Sequence, residues 1–273
     1  MDLARYLGTL RERIDDELRA LLPPPEEDDP LSLRAAMREA VLGGGKRLRP
    51  CLAVASCEAV GGAAERALRP ACALELVHAY SLVHDDLPSM DDDELRRGAP
   101  TCHVKYGEAA AILTGDALLT LAFDVLAAEG IERPGEDRLF LRACRELSRA
   151  AGALGMVGGQ ALDMEQKDRR PTLEQLERCH RGKTGALFAA SAVIGGLLGG
   201  GGEKEIERCR EIGSDLGVAF QHADDLSDGE ASAPAARRSD ELTGRALELA
   251  RSFGEAGAPL RGLIELVRGR AVR

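Results

Sequence analysis

Residues 74–103 read LELVHAYSLVHDDLPSMDDDELRRGAPTCH. Leu74, Val77, Ala79, Tyr80, Leu82 and Val83 are mostly apolar, which predicts a buried helix running to Asp85. Pro88 disfavours helical backbone at Leu87, so Asp85 and Asp86 fall near the helix C-terminus. That end of the helix dipole is unfavourable for anions, and stability alone would not choose it for carboxylates. Two carboxylates ~4 Å apart repel by ~4 kcal/mol at an effective dielectric of about 20. A cation between them relieves that repulsion. Oxygen-only ligands suit Mg²⁺, which binds through a few carboxylates plus substrate phosphates. The plainer reading is a solvated acidic turn. It is weakened by the apolar helix that feeds the cluster and by a second cluster of the same kind.

The second cluster is Asp224-Asp225-Leu226-Ser227-Asp228, preceded by apolar Leu216, Val218, Ala219 and Phe220. Asp224 and Asp228 share a helix face, with Asp225 turned about 100° away. Cations accompany the carboxylates. Gly44-Gly45-Lys46-Arg47-Leu48-Arg49-Pro50 sets three positive charges beside a glycine loop and a helix start. Backbone N–H groups and guanidinium forks there suit diphosphate oxygens. The segment is not a P-loop, since no Ser or Thr follows Lys46 and no strand precedes it. Arg96 and Arg97 follow the first acidic cluster, and Lys183 interrupts an apolar helical run. Each cation alone is ordinary surface charge. Together with two acidic clusters they point to diphosphate chemistry.

The remainder of the chain reads as helix. Leu3, Tyr6, Leu7, Leu10, Ile14, Leu18 and Leu21 mark an amphipathic helix over 3–22, ended by the polar proline-rich loop to Pro30. Ser32 is the expected N-cap of a second helix to Leu42, and Pro50 the opening of a third that stops at Gly61-Gly62. Further helices are expected over 70–85, 108–129, 136–152, 173–198, 203–226, 240–254 and 257–270, with no β-hairpin signal and no internal repeat. The reading is one all-α domain of 273 residues, with residues 1–30 as N-terminal helix and linker. The net charge of −10 makes nucleic acid an unsuitable partner. The longest uncharged run, Thr184–Gly202, carries seven glycines and reads as a buried core helix ending in a glycine loop, so no membrane span is expected. Seven cysteines, odd in number and without a Cys-x-x-Cys pair, read as reduced thiols of a cytoplasmic protein, and no signal peptide is evident.

The chain resembles the trans-isoprenyl diphosphate synthases, most closely the bacterial farnesyl diphosphate synthases. The matching segments are GGGKRLRP at 43–50, the opening stretch at 74–103, GDALLTLAF at 115–123, GGQALDM at 158–164, HRGKTGALF at 180–188 and GVAFQHADDLSD at 217–228. The resemblance implies a helical bundle around a central cavity and a homodimer. It implies head-to-tail condensation of isopentenyl diphosphate with an allylic diphosphate, using three Mg²⁺ per active site. Asp85, Asp86 and Asp91 would bind Mg²⁺ on one wall, with Asp224, Asp225 and Asp228 on the other. Arg96 and Lys183 would contact the allylic diphosphate, and Lys46, Arg49, His78 and Arg97 would hold isopentenyl diphosphate. Lys183, Thr184 and Gln221 would serve the reaction centre. Tyr80, with the small Ser81 beside it, would floor the tail channel and favour a fifteen-carbon product.

Two departures stand out. After Asp228 the family's long Gly/Lys loop is replaced by a short segment, 229–239, ending in Arg237-Arg238-Ser239. A shortened lid, a weakened or non-catalytic dimer partner, and a lid absent from this sequence are all compatible with it. His222 stands where the family usually has an aliphatic residue; a core or hydrogen-bonded histidine is the plainer reading. Farnesyl diphosphate synthesis is the leading expectation. Geranylgeranyl or geranyl diphosphate synthesis is the nearest alternative. A class I terpene cyclase is the next, although it has no use for the glycine-rich basic loop.

Overall fold

The computed structural model describes residues 2–166, 172–227 and 233–269. The chain folds as an all-α bundle, as its periodicity predicts, and its helices surround a deep cavity, as the resemblance implies. Helix α1 (Leu3–Leu21) buries Leu7, Leu10, Ile14 and Leu18, and the Asp2 carboxylate caps it by accepting from Arg5 N at 3.1 Å. Next come α2 (Leu33–Leu42), α3 (Leu48–Ala59) and α4 (Ala64–Asp85). A short α5 (Cys102–Tyr106) precedes α6 (Glu108–Glu132), α7 (Asp137–Ala151), α8 (Met156–Gln166) and α9 (Leu173–His180). The chain then runs through α10 (Ala186–Leu198), α11 (Glu203–Ser227), α12 (Ala233–Arg251) and α13 (Ala258–Arg268). Helix α4 packs against α3, α6 and α10, and α11 packs against α10 and α12, so the two Asp-bearing helices belong to the interior of one bundle.

Several local readings change. Ser32 does not cap α2. Its φ is +54° and its side chain makes no capping bond; the Asp29 carboxylate accepts from Arg34 N and Ala35 N at 3.0 and 3.1 Å instead. Helix α4 begins at Ala64, six residues before the expected start, with Pro70 inside it. Proline has no N–H to donate one turn back. The stranded acceptor is the Arg66 carbonyl, and Arg133 Nη1 donates to it at 3.1 Å. A two-stranded hairpin pairs Leu95–Arg96 with Ala99–Pro100, where no hairpin signal is read from the residues. Its turn residues Arg97 and Gly98 both have positive φ, the geometry that closes a tight hairpin. Helices α5 and α8 were not anticipated. Helix α12 starts at Ala233 rather than near 240, so residues 233–239 of the expected lid are its first turns.

The apolar run beginning at Thr184 forms the buried helix α10, as predicted. Among the described residues α6 alone is long and apolar enough to cross a membrane. It packs instead along α4 and α7, which accounts for Ala111, Leu118, Ala122, Val125 and Leu126 on its buried side.

Replacing Arg133 by Ala removes the donor that completes α4 at Pro70. The expected loss is about 1–3 kcal/mol, read as a lowered denaturation midpoint with unchanged m-value; an unaltered midpoint would show that Pro70 needs no partner.

Candidate active site

A cavity of about 1190 Å³ opens between α3, α4, α8 and α11. Its first wall is the C-terminal end of α4. Asp85 lines the cavity, and Asp91 N donates to Asp85 O at 2.9 Å. That bond turns the following loop back on the helix and brings Asp91 onto the same wall. Asp86 points elsewhere. It is 3% exposed and does not line the cavity, because Arg96 Nε donates to both of its oxygens, at 2.7 and 3.0 Å. Arg96 itself reaches the cavity wall. Deeper along α4, Tyr80 and Ser81 line the cavity. The Tyr80 ring meets the His84 ring edge-on at 5.8 Å, and His84 Nε2 lies 3.0 Å from the Ile112 carbonyl oxygen of α6.

The facing wall comes from α11 and from the segment that joins α9 to α10. Asp224, Gln221 and Phe220 of α11 line the cavity. The joining segment, Arg181–Gly185, is a π-helical turn inside what the sequence reads as one continuous helix, and it presents Lys183 and Thr184 to the cavity. Thr184 Oγ1 donates to Gln221 Oε1 at 3.1 Å, and Gln221 Nε2 donates to Asp225 Oδ1 at 2.9 Å. Asp225 therefore braces the wall from behind rather than lining it. Asp228 lies outside the described residues.

Two residues of α8 carry weight that the sequence reading did not assign. Lys183 Nζ donates to Asp163 Oδ2 at 2.5 Å. Gln160 lines the cavity with both amide atoms buried and without a protein partner. The signal was present as Gln160-x-x-Asp163, one face of a helix, in a segment whose helical character went unread.

The basic rim sorts its charges. Lys46, Arg49, His78 and Arg97 line the cavity. Arg47 borders the cavity too, but its guanidinium is turned inward. It is 4% exposed and donates to Glu75 Oε1 at 2.7 Å, Asp15 Oδ1 at 2.8 Å and the Val41 carbonyl at 2.7 Å, so its charge is matched internally. The Arg49 guanidinium lies 4.9 Å over the Phe188 ring, and its buried Nε has no protein partner. Burial lowers its pKa to about 10, against the pull of Glu75 and Asp224. Burial, and then the charges of Arg49, Arg97, Arg96 and Arg47, hold His78 well below the ordinary histidine value, so it is neutral at physiological pH.

The carboxylates show the opposite imbalance. Burial raises Asp85 to about 6; Lys183 opposes the shift, and Asp91 and Asp86 add to it. Of the four carboxylates that line the cavity, Glu75 is held by Arg47, and Asp85, Asp91 and Asp224 offer the oxygen donors that a hard divalent cation such as Mg²⁺ prefers. Asp85, Asp91 and Asp224 are the residues that could hold it.

The polyprenyl synthetase family model matches residues 31–239. Over 232 residues, 83% of the chain, the sequence is 46% identical to geranylgeranyl pyrophosphate synthase 4 of Arabidopsis thaliana; the match spans only 60% of that protein's length. The fold superposes on the apo crystal structure of a FPP/GFPP synthase from Zymomonas mobilis with TM-score 0.90 and 37% identity, covering 98% of this chain and 99% of that one. A geranyltransferase from Legionella pneumophila matches with TM-score 0.89 and 32% identity, covering 99% and 98%.

The raised pKa of Asp85 has a stability consequence in metal-free protein. Folding favours the protonated carboxyl, so its contribution is fully present below the ordinary value of 3.8 and is lost as pH rises through about 6. Asp85→Asn in chelator at neutral pH is expected to gain about 2 kcal/mol at most, a few degrees in melting temperature. The gain should shrink as pH falls through about 6. A variant that melts no higher than wild type at neutral pH would refute the account.

Proposed function

The chain belongs to the polyprenyl synthetase family, and from that premise we propose that it catalyses Mg²⁺-dependent head-to-tail prenyl transfer from an allylic diphosphate to isopentenyl diphosphate. The observation that carries this reading is the pairing, across one cavity, of Asp85 and Asp91 with Asp224, under a rim of Lys46, Arg49, His78 and Arg97. Mg²⁺ at the carboxylates would supply charge neutralisation for the departing diphosphate. Lys183 and Arg96, both on the cavity lining, would stabilise the same developing charge. Arg96 is engaged with Asp86 in the free protein. A diphosphate arriving at Arg96 competes for that guanidinium and releases Asp86 to join the donor set. Lys46, Arg49 and Arg97 supply a second cationic subsite for isopentenyl diphosphate, with neutral His78 able to donate a hydrogen bond. The isopentenyl double bond attacks the allylic carbon as diphosphate leaves, and a proton is then lost to that diphosphate. Leu82, Leu87, Ile112, Met156 and Met164 give the cavity apolar lining that shields the cationic carbon from water.

Farnesyl diphosphate is the product we propose. Tyr80 is buried, lines the cavity and is backed by His84, so the tail meets an aromatic floor about 7.5 Å along α4 from Asp85 at 1.5 Å per residue. The curated relatives named as geranylgeranyl pyrophosphate synthases support a twenty-carbon product as the second reading. A homodimer is proposed through the face of α6 that carries Leu113, 45% exposed, next to the cavity-lining Ile112. A cytoplasmic location is proposed on the seven free thiols.

Purified protein given Mg²⁺, isopentenyl diphosphate and dimethylallyl or geranyl diphosphate should release inorganic diphosphate and yield farnesyl diphosphate by mass. Hydrocarbon formed from farnesyl diphosphate alone, or no turnover with any allylic primer, would reject prenyl elongation. Tyr80→Ala should lengthen the main product by at least one isoprene unit. An unchanged product profile would remove Tyr80 as the floor.

A further inference from the structure

His180, His222 and Asp225 meet outside the cavity wall, and prenyl transfer as described above uses neither imidazole. His180 is the last residue of α9, and His222 and Asp225 lie one turn apart on α11. One donor atom from each lies within 4.8 Å of the other two. His180 Nε2 is 3.4 Å from Asp225 Oδ2, and the two imidazole rings meet edge-on at 5.0 Å. The cluster is secluded, with His180 6% and His222 0% exposed.

What marks it is missing hydrogen bonding. His180 Nδ1 and both ring nitrogens of His222 are buried without a partner. Buried polar atoms are nearly always paired, and an exception asks for a ligand. Glu177 Oε1, 3.9 Å from His222 Nε2 and held by Arg238 Nε at 2.9 Å, supplies a second carboxylate at the edge of the group.

We propose that His180, His222 and Asp225 form a site for a borderline divalent transition-metal ion of the Zn²⁺ class, separate from the oxygen-only set in the cavity. Two imidazoles and a carboxylate match the ligand preference of such ions, whereas Mg²⁺ prefers oxygen alone. The ion ties the end of α9 to α11. His180 is three residues before Lys183 and Asp225 adjoins Asp224, so the site braces the supports of both reacting-wall residues without contacting substrate. The inference stands on the buried imidazoles and does not depend on the prenyl-transfer reading.

The test is a titration of the intact protein with Co²⁺ in excess Mg²⁺, which occupies the oxygen-only donors. The expected result is one Co²⁺ per chain, a ligand-field spectrum without thiolate charge transfer, displacement by Zn²⁺ and a raised melting temperature. His222→Leu and His180→Gln should each weaken binding by about tenfold or more. Wild-type protein provides a readout independent of variant folding: Zn²⁺ should shift the imidazole nitrogen resonances of two of the five histidines. No saturable binding, thiolate bands, unshifted histidine resonances, or full binding in either folded variant would overturn the site. The first of these outcomes would leave a buried water as the partner of the imidazoles.

Discussion

Folding sets the C-terminal ends of two apolar helices across one cavity, and both ends carry carboxylates. Asp85 closes α4, Asp224 sits in the last turn of α11, and the two helices belong to one packed interior. Each helix dipole adds partial negative charge at the same place. The raised pKa of Asp85 records the result: burial and carboxylate neighbours outweigh the help of Lys183 and Arg96. The free energy of packing α4 and α11 holds this arrangement in place, and the surrounding cations follow from it. A cavity built this way gathers negative charge that nearby cations must offset.

The arginines answer that requirement unequally. Arg47 lies within the same loop as Lys46 and Arg49 and is folded with φ +50° onto Glu75 and Asp15. It fixes the loop. Arg49, two residues on, has a buried Nε without a protein partner and a cavity in front of it. A buried charge held by an aromatic ring and distant carboxylates is costly unless an anion completes it. Arg96 is intermediate, bidentate on Asp86 yet still part of the cavity wall. One sequence run of cations thus divides into Arg47, matched internally, and Arg49, facing the cavity, with Arg96 between the two cases.

The helices and the two acidic clusters were legible because each follows from local pattern: apolar periodicity for α1, α4 and α10, and a carboxylate run after an apolar stretch. What escaped was decided by tertiary partners. Pro70 reads as a helix start, since nothing local announces that Arg133, sixty-three residues away, will donate to the Arg66 carbonyl. Asp86 reads as a ligand equal to Asp85, and Arg96 alone turns it aside. Ser32 reads as a cap, but Asp29 reaches the same N–H groups from farther back. The 97–98 turn lacks the usual Asn-Gly or Asp-Gly signal and is held by Arg97 in a left-handed conformation, with its guanidinium donating to the Gly44 carbonyl. The family resemblance supplied roles for residues that spacing alone left open, but it offered nothing for His222.

Lys183 shows how backbone packing places a functional charge. A regular helix through 173–198 would carry the surrounding apolar residues into the core along with any lysine between them. The π turn at Arg181–Gly185 inserts extra backbone and changes the phase between α9 and α10, so α10 stays buried while Lys183 faces the cavity. The wider turn needs room, and α8 gives it by crossing at glycine: a Cβ on Gly159 would lie 2.0 Å from Lys183 N, and one on Gly182 2.9 Å from Gly159 Cα. From that crossing Asp163, one turn along α8, reaches Lys183 Nζ. The absence of two side chains thereby fixes the position of a third, and a single methyl at Gly159 would displace the backbone that carries the lysine. The same π turn begins beside His180, so the geometry that aims Lys183 into the cavity also delivers an imidazole to α11 behind it.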